Sequence, residues 1–201
     1  MSEFERWEKR FSTPDYVFGK APNAFVKSHA HLFKRGQKAL SLADGEGRNG
    51  VFLAEQGLDV LSFDFSPKAL AKAQALAKER GVKLRTELAD LATWTWPTAA
   101  FDVIVGVFFQ FATPEFRQQI FSNIKKALKP GGLLLIQGYR PEQLKYKTGG
   151  PKEVERLYTR ALLQEAFGDL ASVEIKEHDS VVDEGAGHVG MSALIDLVAR
   201  K

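Results

Sequence analysis

The sequence contains no cysteine and no long apolar run. Without cysteine, the chain cannot form disulfides, bind a metal through thiolates or use a cysteine nucleophile. No stretch approaches the roughly 18 apolar residues that a membrane-spanning helix needs, and the charged, aromatic N-terminus is not built like a signal peptide. We therefore expect a cytoplasmic protein without a membrane partner, whose chemistry comes from other side chains or from a cofactor.

Clustered charge and metal-ligand spacing are also missing. The chain has 28 Lys and Arg residues against 25 Asp and Glu residues, and the two signs are interleaved. A nucleic-acid surface usually gathers its basic residues, so we expect a small-molecule substrate and no nucleic acid. His29, His31 and His178 lack the spacing of metal ligands, and we predict no metal. The oligomeric state stays open.

Short apolar strands alternate with helical patterns from residue 39 onward, which predicts parallel strands joined by crossover helices. The predicted strands are Ala39–Asp44, Asp59–Asp64, Lys83–Leu88, Phe101–Val107, Leu133–Tyr139, Ser172–Val181 and Met191–Ala199. The main predicted helices are Pro67–Arg80, Pro114–Leu128 and Lys152–Phe167. The last two strands, joined by Asp183–Gly190, predict a hairpin. The expected fold class is α/β: a Rossmann-like, doubly wound seven-stranded sheet, mostly parallel, with an antiparallel C-terminal hairpin strand.

We expect a single domain over residues 1–201, made of an N-terminal helical cover (1–38) and a Rossmann-like core (39–201). The cover is predicted to hold two helices, Glu3–Phe11 and Pro22–Lys34. Its aromatic residues either close over a ligand or pack on the sheet edge: Trp7, Phe11, Tyr16 and Phe18. Packing is at least as good an explanation for Trp7 and Phe11, and closure is favoured for the other two.

A glycine-rich turn links the first strand to a helix through Gly45-Glu46-Gly47-Arg48-Asn49-Gly50. Glycines let a backbone turn tightly and approach a ligand without a Cβ in the way. Asp64 ends the second strand, nineteen residues after Gly45, where a carboxylate can accept two hydrogen bonds from a ribose diol. Together these features predict an adenosine-type cofactor. The same letters fit a nicotinamide dinucleotide site, but no second nucleotide-binding half and no Tyr-x-x-x-Lys helix accompany them.

Five segments resemble the class I S-adenosylmethionine-dependent methyltransferases, and the resemblance covers nearly the whole chain. They are residues 39–47, Asp64, residues 89–91, residues 101–105 and residues 128–136. Ser41, Ala43 and Asp44 depart from that family's usual acidic residue, glycine and cysteine at the first motif. The amino-acid sequence of the turn, together with residues 16–23 and 188–190, is similar to that of a bacterial subgroup related to tellurite-resistance and thiopurine-type methyltransferases.

The resemblance implies S-adenosyl-L-methionine as the cofactor. A backbone carbonyl at Ala43 can accept from its ammonium group, Asp64 would bind the ribose, and Asp90 would accept from the adenine amino group or else cap a short helix. Phe65 either stacks on adenine or packs in the core. The residues implied for the cofactor are Ala43, Asp44, Gly45, Gly47, Asn49, Asp64, Phe65, Asp90, Leu91 and Gly106.

The predicted function is transfer of a methyl group to a small-molecule acceptor by in-line displacement, and the alternatives are a nicotinamide-dependent oxidoreductase and a non-catalytic sensor. Alignment can supply most of the acceleration, so no obligate catalytic residue follows. Residues 107–111 replace the Asn-Pro-Pro-Tyr of exocyclic-amine methyltransferases, which favours an acceptor with an apolar or polarisable face. His188 is either a base or a turn cap. The candidates on the acceptor side are His188, Tyr139, Arg140, Gln110 and Tyr16.

Overall fold

The computed structural model describes residues 2–185 and 187–201. Met1 and Ala186, which fall in the predicted cover and in the predicted hairpin connection, lie outside the described residues. The strands are β1 (Lys38–Leu42), β2 (Asp59–Asp64), β3 (Arg85–Leu88), β4 (Phe101–Val107), β5 (Leu128–Tyr139), β6 (Ser172–Asp183) and β7 (Val189–Arg200). They form a seven-stranded sheet in the order β3-β2-β1-β4-β5-β7-β6.

The strand directions confirm the predicted fold class. The β1–β2, β2–β3 and β4–β5 pairs are parallel, whereas β7 runs antiparallel to both β5 and β6. The helices are α1 (Glu3–Arg10), α2 (Ala24–Ser28), α3 (Arg48–Glu55), α4 (Pro67–Glu79), α5 (Pro114–Ala127), α6 (Gln143–Tyr146) and α7 (Arg160–Phe167). None of the helices in the described part of the chain is long and apolar enough to cross a membrane.

The chain divides into two compact units. The first contains the chain up to Trp94 together with Glu184–Gly187, and the second contains Thr95–Asp183 and His188–Lys201. The first unit therefore holds β1–β3 and α1–α4, and the second holds β4–β7 and α5–α7. That residues 1–201 form a single domain stays a prediction.

Helix α4 shows how the sequence builds the first unit. The Ser66 side chain accepts a hydrogen bond from the Ala69 N–H, and Pro67 occupies the first turn, where its missing N–H costs nothing. Its buried side chains recur at helical spacing: Ala69, Leu70, Ala73, Leu76 and Ala77. Because most of them are alanines, α4 can lie close to its neighbours in the first unit.

Strand β5 begins five residues earlier than predicted, at Leu128. Leu128 pairs with Phe101 and Leu133 pairs with Val103, so residues 129–132 bulge out of the ladder. Gly131 lies in this bulge at φ 75°. Residues 129–132, Lys-Pro-Gly-Gly, therefore form a bulge inside the strand, because the backbone on both sides keeps its pairing with β4.

Two predicted helices are shorter than expected. In place of Pro22–Lys34, α2 starts after Asn23, whose side chain accepts from the Val26 N–H, and a 3-10 helix follows at Ala30–Leu32. In place of Lys152–Phe167, a 3-10 turn at Val154–Arg156 precedes α7. The first half of this helix does not form, because the Tyr158 N–H donates to the Tyr139 carbonyl and the backbone there is extended.

Candidate functional site

The glycine turn after β1 alternates through the left-handed region of backbone space. Ala43, Gly45 and Gly47 have φ values of 47°, 59° and 85°. Glycine adopts this conformation without penalty, whereas at Ala43 the Cβ is strained by about 1 kcal/mol. Ala43 therefore adopts the left-handed conformation although it stands where the resembled family has glycine.

The two glycines of the turn serve different neighbours. A Cβ at Gly47 would lie 2.5 Å from the Cβ of Ala73, so this glycine allows α3 to begin directly against α4. A Cβ at Gly45 would lie 3.4 Å from Cζ of Phe11 and would meet no backbone. Of the two, Gly45 has only a side chain near its missing Cβ, whereas Gly47 also meets the backbone of α4.

Asp64 holds the turn from the end of β2. Its Oδ2 accepts from the Gly45 N–H over 2.9 Å, and its Oδ1 accepts from the Ser66 N–H over 3.0 Å. Burial raises the pKa of Asp64 to about 6, and the nearby Asp44 carboxylate adds to the shift, against the lowering effect of these hydrogen bonds. Each carboxylate oxygen keeps a second lone pair, so the group can still accept from two hydroxyls.

Asp44 has a structural role at the start of α3. Its Oδ2 accepts from the Gly50 N–H over 3.0 Å and from the Ser62 hydroxyl over 2.8 Å. The N-cap residue, Gly47, has no side chain to do this, so Asp44 supplies the acceptor for the helix terminus. Its Oδ1 is buried without a hydrogen-bond partner among the described residues, and burial raises the pKa of Asp44 to about 6.

The residues implied for the adenine end lie on the same unit. Phe65 is half-buried and meets Phe4 of α1 edge-to-face, with ring centroids 5.8 Å apart. Asp90 is exposed, and its Oδ1 accepts from the Ala92 N–H over 2.9 Å in a turn that does not become a helix. Leu91 beside it is buried. One Asp90 oxygen therefore serves the turn, and Phe65 shares an aromatic contact with α1.

Residues 11–24, here called the covering segment, are bound by the three non-glycine residues of the turn. Glu46 Oε2 accepts from the Phe18 N–H over 3.3 Å, and Arg48 Nη1 donates to the Phe18 carbonyl over 3.4 Å. Asn49 Oδ1 accepts from the Asn23 N–H over 2.9 Å. Asn49, predicted to bind the cofactor, thus uses its side-chain oxygen to hold the covering segment.

The aromatic residues of the N-terminus make several contacts within the first unit. Phe11 is 3% exposed and lies against Gly45, with Trp7 stacked on it at 5.4 Å. Tyr16, predicted on the acceptor side, donates its hydroxyl to the Lys72 carbonyl of α4 over 2.9 Å. The contact of Phe11 with Gly45 therefore packs the ring in the core and also covers the turn. Tyr16 anchors the covering segment to α4.

In the second unit, three rings meet at the carboxyl ends of β4 and β5. Phe108 stacks on Tyr139 with centroids 4.6 Å apart, and His188 meets Phe108 edge-on at 4.5 Å. Phe108 has φ 54°, an unfavourable value for an aromatic residue. Such strain at a strand end is typical of functional loops.

The other acceptor-side candidates are engaged in structural contacts. Gln110 accepts from the Tyr139 N–H over 2.6 Å and donates to the carbonyls of Tyr139 and Arg156 over 2.9 and 3.1 Å. Arg140 forms ion pairs with Asp179 and, over 3.5 Å, with Glu142. This geometry favours backbone support for Gln110 and charge pairing for Arg140 over contact with an acceptor.

Gly106, which the resemblance implied for the cofactor, is packed against a ring of its own unit. A Cβ there would lie 2.5 Å from Cε1 of Phe109, so glycine is required for that packing.

His178 forms hydrogen bonds with Ser180 and Asp196 through its two ring nitrogens, over 2.7 and 3.0 Å. Within residues 2–185 and 187–201 no three His, Asp or Glu side chains are placed to hold a metal, and the absence of a metal stays a prediction.

Sequence reasoning missed the acidic and basic residues that organise the turn. Glu8 accepts from the Ser66 hydroxyl over 2.7 Å, and Glu46 pairs with Lys72 over 2.7 Å. Arg48 pairs with Glu184 over 2.6 Å, although 136 positions separate them. Among these Glu46 and Arg48 had a signal, since both lie inside the glycine motif.

Comparison with known proteins agrees with this geometry. Residues 39–132 match the model of the methyltransferase domain family. Demethylmenaquinone methyltransferase from Thermus thermophilus is 31% identical over 112 residues, which are 55% of this chain and 50% of that protein. The chain spans about half the length of the curated relatives it matches.

Two solved structures share the fold. TehB from Haemophilus influenzae superposes with a TM-score of 0.69 at 22% identity, covering 98% of this chain and 66% of that one. Phosphoethanolamine N-methyltransferase 2 from Haemonchus contortus, solved with S-adenosyl-L-methionine, superposes with a TM-score of 0.72 at 17% identity, covering 100% and 60%. Over residues 39–132 the chain is therefore similar to methyltransferase domains, and the solved structures show that it shares their fold.

Proposed function

We propose that the protein is an enzyme that transfers a methyl group from S-adenosyl-L-methionine to a small molecule. The observation that carries this proposal is the pairing of Gly45 with Asp64. The glycine leaves its backbone approachable, and the buried carboxylate beside it keeps acceptor capacity for two hydroxyls. This donor and acceptor set suits a ribose and a cationic ligand, and the nearby Arg48 and Lys72 are paired with Glu184 and Glu46.

The residues of the first unit would each take one part of the cofactor. Asp64 would accept from the ribose hydroxyls, the Ala43 carbonyl from the ammonium group, and Asp90 from the adenine amino group through its second oxygen. Phe65 and Leu91 would supply apolar contact for the adenine ring. When bound, the cofactor supplies a methyl group activated by its sulfonium charge.

On the acceptor side we assign the main roles to Phe108, Tyr139 and His188. Stacked and edge-on rings form an apolar, polarisable surface, which favours a flat or soft acceptor. The imidazole of His188 can take a proton from an acceptor that must lose one, whereas other acceptors need alignment alone. We further propose a location in the cytoplasm and no nucleic-acid or membrane partner. Membership of the tellurite-resistance and thiopurine-type subgroup stays a prediction.

Calorimetric titration with S-adenosyl-L-methionine and with S-adenosylhomocysteine tests the cofactor. We expect micromolar binding of both ligands, and no binding of NADPH. Asp64→Ala should weaken binding at least about tenfold, the effect of losing one or two hydrogen bonds to a charged group. Asp59→Ala is the matched control, because Asp59 begins the same strand and pairs only with Arg85 at the surface in the described part of the chain.

Each alternative has its own outcome. A preference for NADPH would replace the transferase with a nicotinamide-dependent oxidoreductase. Tight binding of S-adenosyl-L-methionine without methylation of any compound in a panel of thiols, phenols, amines and metalloid oxyanions would favour a sensor. Binding that survives Asp64→Ala unchanged would remove Asp64 from the site.

A further inference from the structure

Glu184 joins three segments that are far apart in the sequence. Its carboxylate accepts from Arg48 Nη2 over 2.6 Å, from Asn23 Nδ2 over 3.0 Å and from the Ala24 N–H over 3.1 Å. The side chains of Glu184 and Arg48 are only 10% and 7% exposed. Breaking a buried pair of this kind leaves a charge without compensation, so these contacts strongly favour one arrangement.

The backbone beside Glu184 lies directly on the covering segment. Gly187 N–H donates to the Val17 carbonyl over 3.1 Å. A Cβ at Gly185 would lie 2.5 Å from the Gly19 nitrogen, and one at Gly187 would lie 2.5 Å from Cε1 of Phe18. Glycine at both positions therefore allows the two chain segments to touch.

The covering segment thus has two sets of anchors. On one side, the turn residues Glu46, Arg48 and Asn49 hold residues 18 and 23. On the other side, Glu184 holds residues 23 and 24 and neutralises Arg48. Since Phe11 lies over Gly45, movement of this segment would uncover the backbone of the turn.

We propose that Glu184 is a positioning residue that keeps the covering segment closed over the glycine turn and so sets the rate of cofactor exchange. The inference rests on the proposed function, because it takes S-adenosyl-L-methionine as the occupant of the turn. In this proposal Glu184 has no direct role in binding the cofactor. It acts through Arg48 and Asn23, so its loss speeds opening and changes the rates of entry and release together.

The test is displacement of S-adenosylhomocysteine by excess S-adenosyl-L-methionine in a stopped-flow instrument, followed by the fluorescence of Trp7 and the other tryptophans. Glu184→Gln keeps the shape and removes the charge. We expect it to release the product about ten- to a hundredfold faster, as for one charge-assisted hydrogen bond, with a smaller change in affinity because entry is faster too. Arg48→Lys should also release the product faster, and it replaces Glu184→Gln in this test if that variant does not fold.

A second readout needs no cofactor. Trypsin cleavage after Lys20, inside the covering segment, should be roughly tenfold faster in Glu184→Gln than in the wild type, because cleavage requires the same opening. Glu177→Gln is the matched control: it removes an exposed β6 carboxylate that pairs with Arg160 over 3.3 Å. The control should release product and be cleaved at wild-type rates.

The outcomes separate this inference from the proposed function. If wild type and Glu184→Gln both bind the cofactor and exchange it at the same rate, the positioning role is wrong while the methyltransferase proposal stands. If wild type binds neither ligand, the proposed function fails and the inference fails with it. If Kd rises in Glu184→Gln by the same factor as the release rate, the result would indicate direct contact between Glu184 and the ligand. That outcome would also overturn the inference.

Discussion

The Oδ2 atom of Asp64 accepts a hydrogen bond from the backbone N–H of Gly45 over 2.9 Å. One carboxylate at the end of β2 thereby shapes the turn that follows β1 and keeps lone pairs for a ligand. Because burial raises the pKa of Asp64 to about 6, the charge state of the site changes in an accessible pH range.

Cofactor affinity should fall as the pH drops below about 6. Protonated Asp64 offers a donor and fewer lone pairs, so it accepts less well from two ribose hydroxyls than the carboxylate does. We expect Kd for S-adenosyl-L-methionine, measured by calorimetry, to be constant from pH 7 to 8 and to rise by up to about tenfold per pH unit below 6. Asp64→Asn should bind weakly with a flat profile, and a wild-type Kd that is the same at pH 5 and pH 8 would contradict the assignment.

Asp44→Asn should change how stability depends on pH. The folded-state pKa of Asp44 is about 6, above the ordinary value of 3.8, so between these values the folded state binds more protons and wild-type stability falls as the pH rises. Asparagine does not titrate. The free energy of unfolding, variant minus wild type, should therefore increase by about 2–3 kcal/mol from pH 4 to pH 7.

Urea denaturation at several pH values measures that difference. Asp59→Asn, at an exposed position, should show a nearly constant difference across the same range. A constant difference for Asp44→Asn would mean that its carboxylate is already ionised at pH 4 in the folded protein.

Ala43→Gly should stabilise the protein. At φ 47° the alanine Cβ is strained, and glycine removes about 1 kcal/mol of that strain. Part of this gain is lost because glycine gives the unfolded chain more conformational entropy. We expect the free energy of unfolding from urea titration to rise by about 0.5 kcal/mol. Ala99→Gly, also at φ 47°, should behave alike, whereas Ala69→Gly inside α4 should destabilise by about 1 kcal/mol.

Tyr158→Phe should be neutral or stabilising. The Tyr158 hydroxyl is buried without a hydrogen-bond partner within the described chain, and burial raises its pKa. Removing it relieves a desolvation cost of about 1 kcal/mol. Tyr16→Phe is the contrasting variant: it loses the bond to the Lys72 carbonyl and should destabilise by about 1 kcal/mol in thermal or urea unfolding. Equal losses in both variants would show that the Tyr158 hydroxyl has a partner.

The elements that the sequence predicted best are those whose signals are local. β2 and β4 have their predicted bounds, and α4 and α5 start at the predicted prolines. Apolar runs, N-cap residues and Pro at the first turn act over a few positions, so they can be read without knowing the rest of the fold. The second half of the predicted Lys152–Phe167 helix formed and the first half did not, because the Tyr139 carbonyl took the N–H of Tyr158.

Taken alone, the sequence determined the fold class, the glycine turn and the acidic end of β2, because spacing along the chain specifies each of them. Only the tertiary structure decided how individual side chains are used. It directed Asn49 to the covering segment, Gln110 to the backbone of β5 and Asp44 to the start of α3, and it joined Arg48 to Glu184 across 136 positions. A hydrogen bond or ion pair depends on which groups are brought within about 3 Å, and folding, rather than sequence separation, sets that distance.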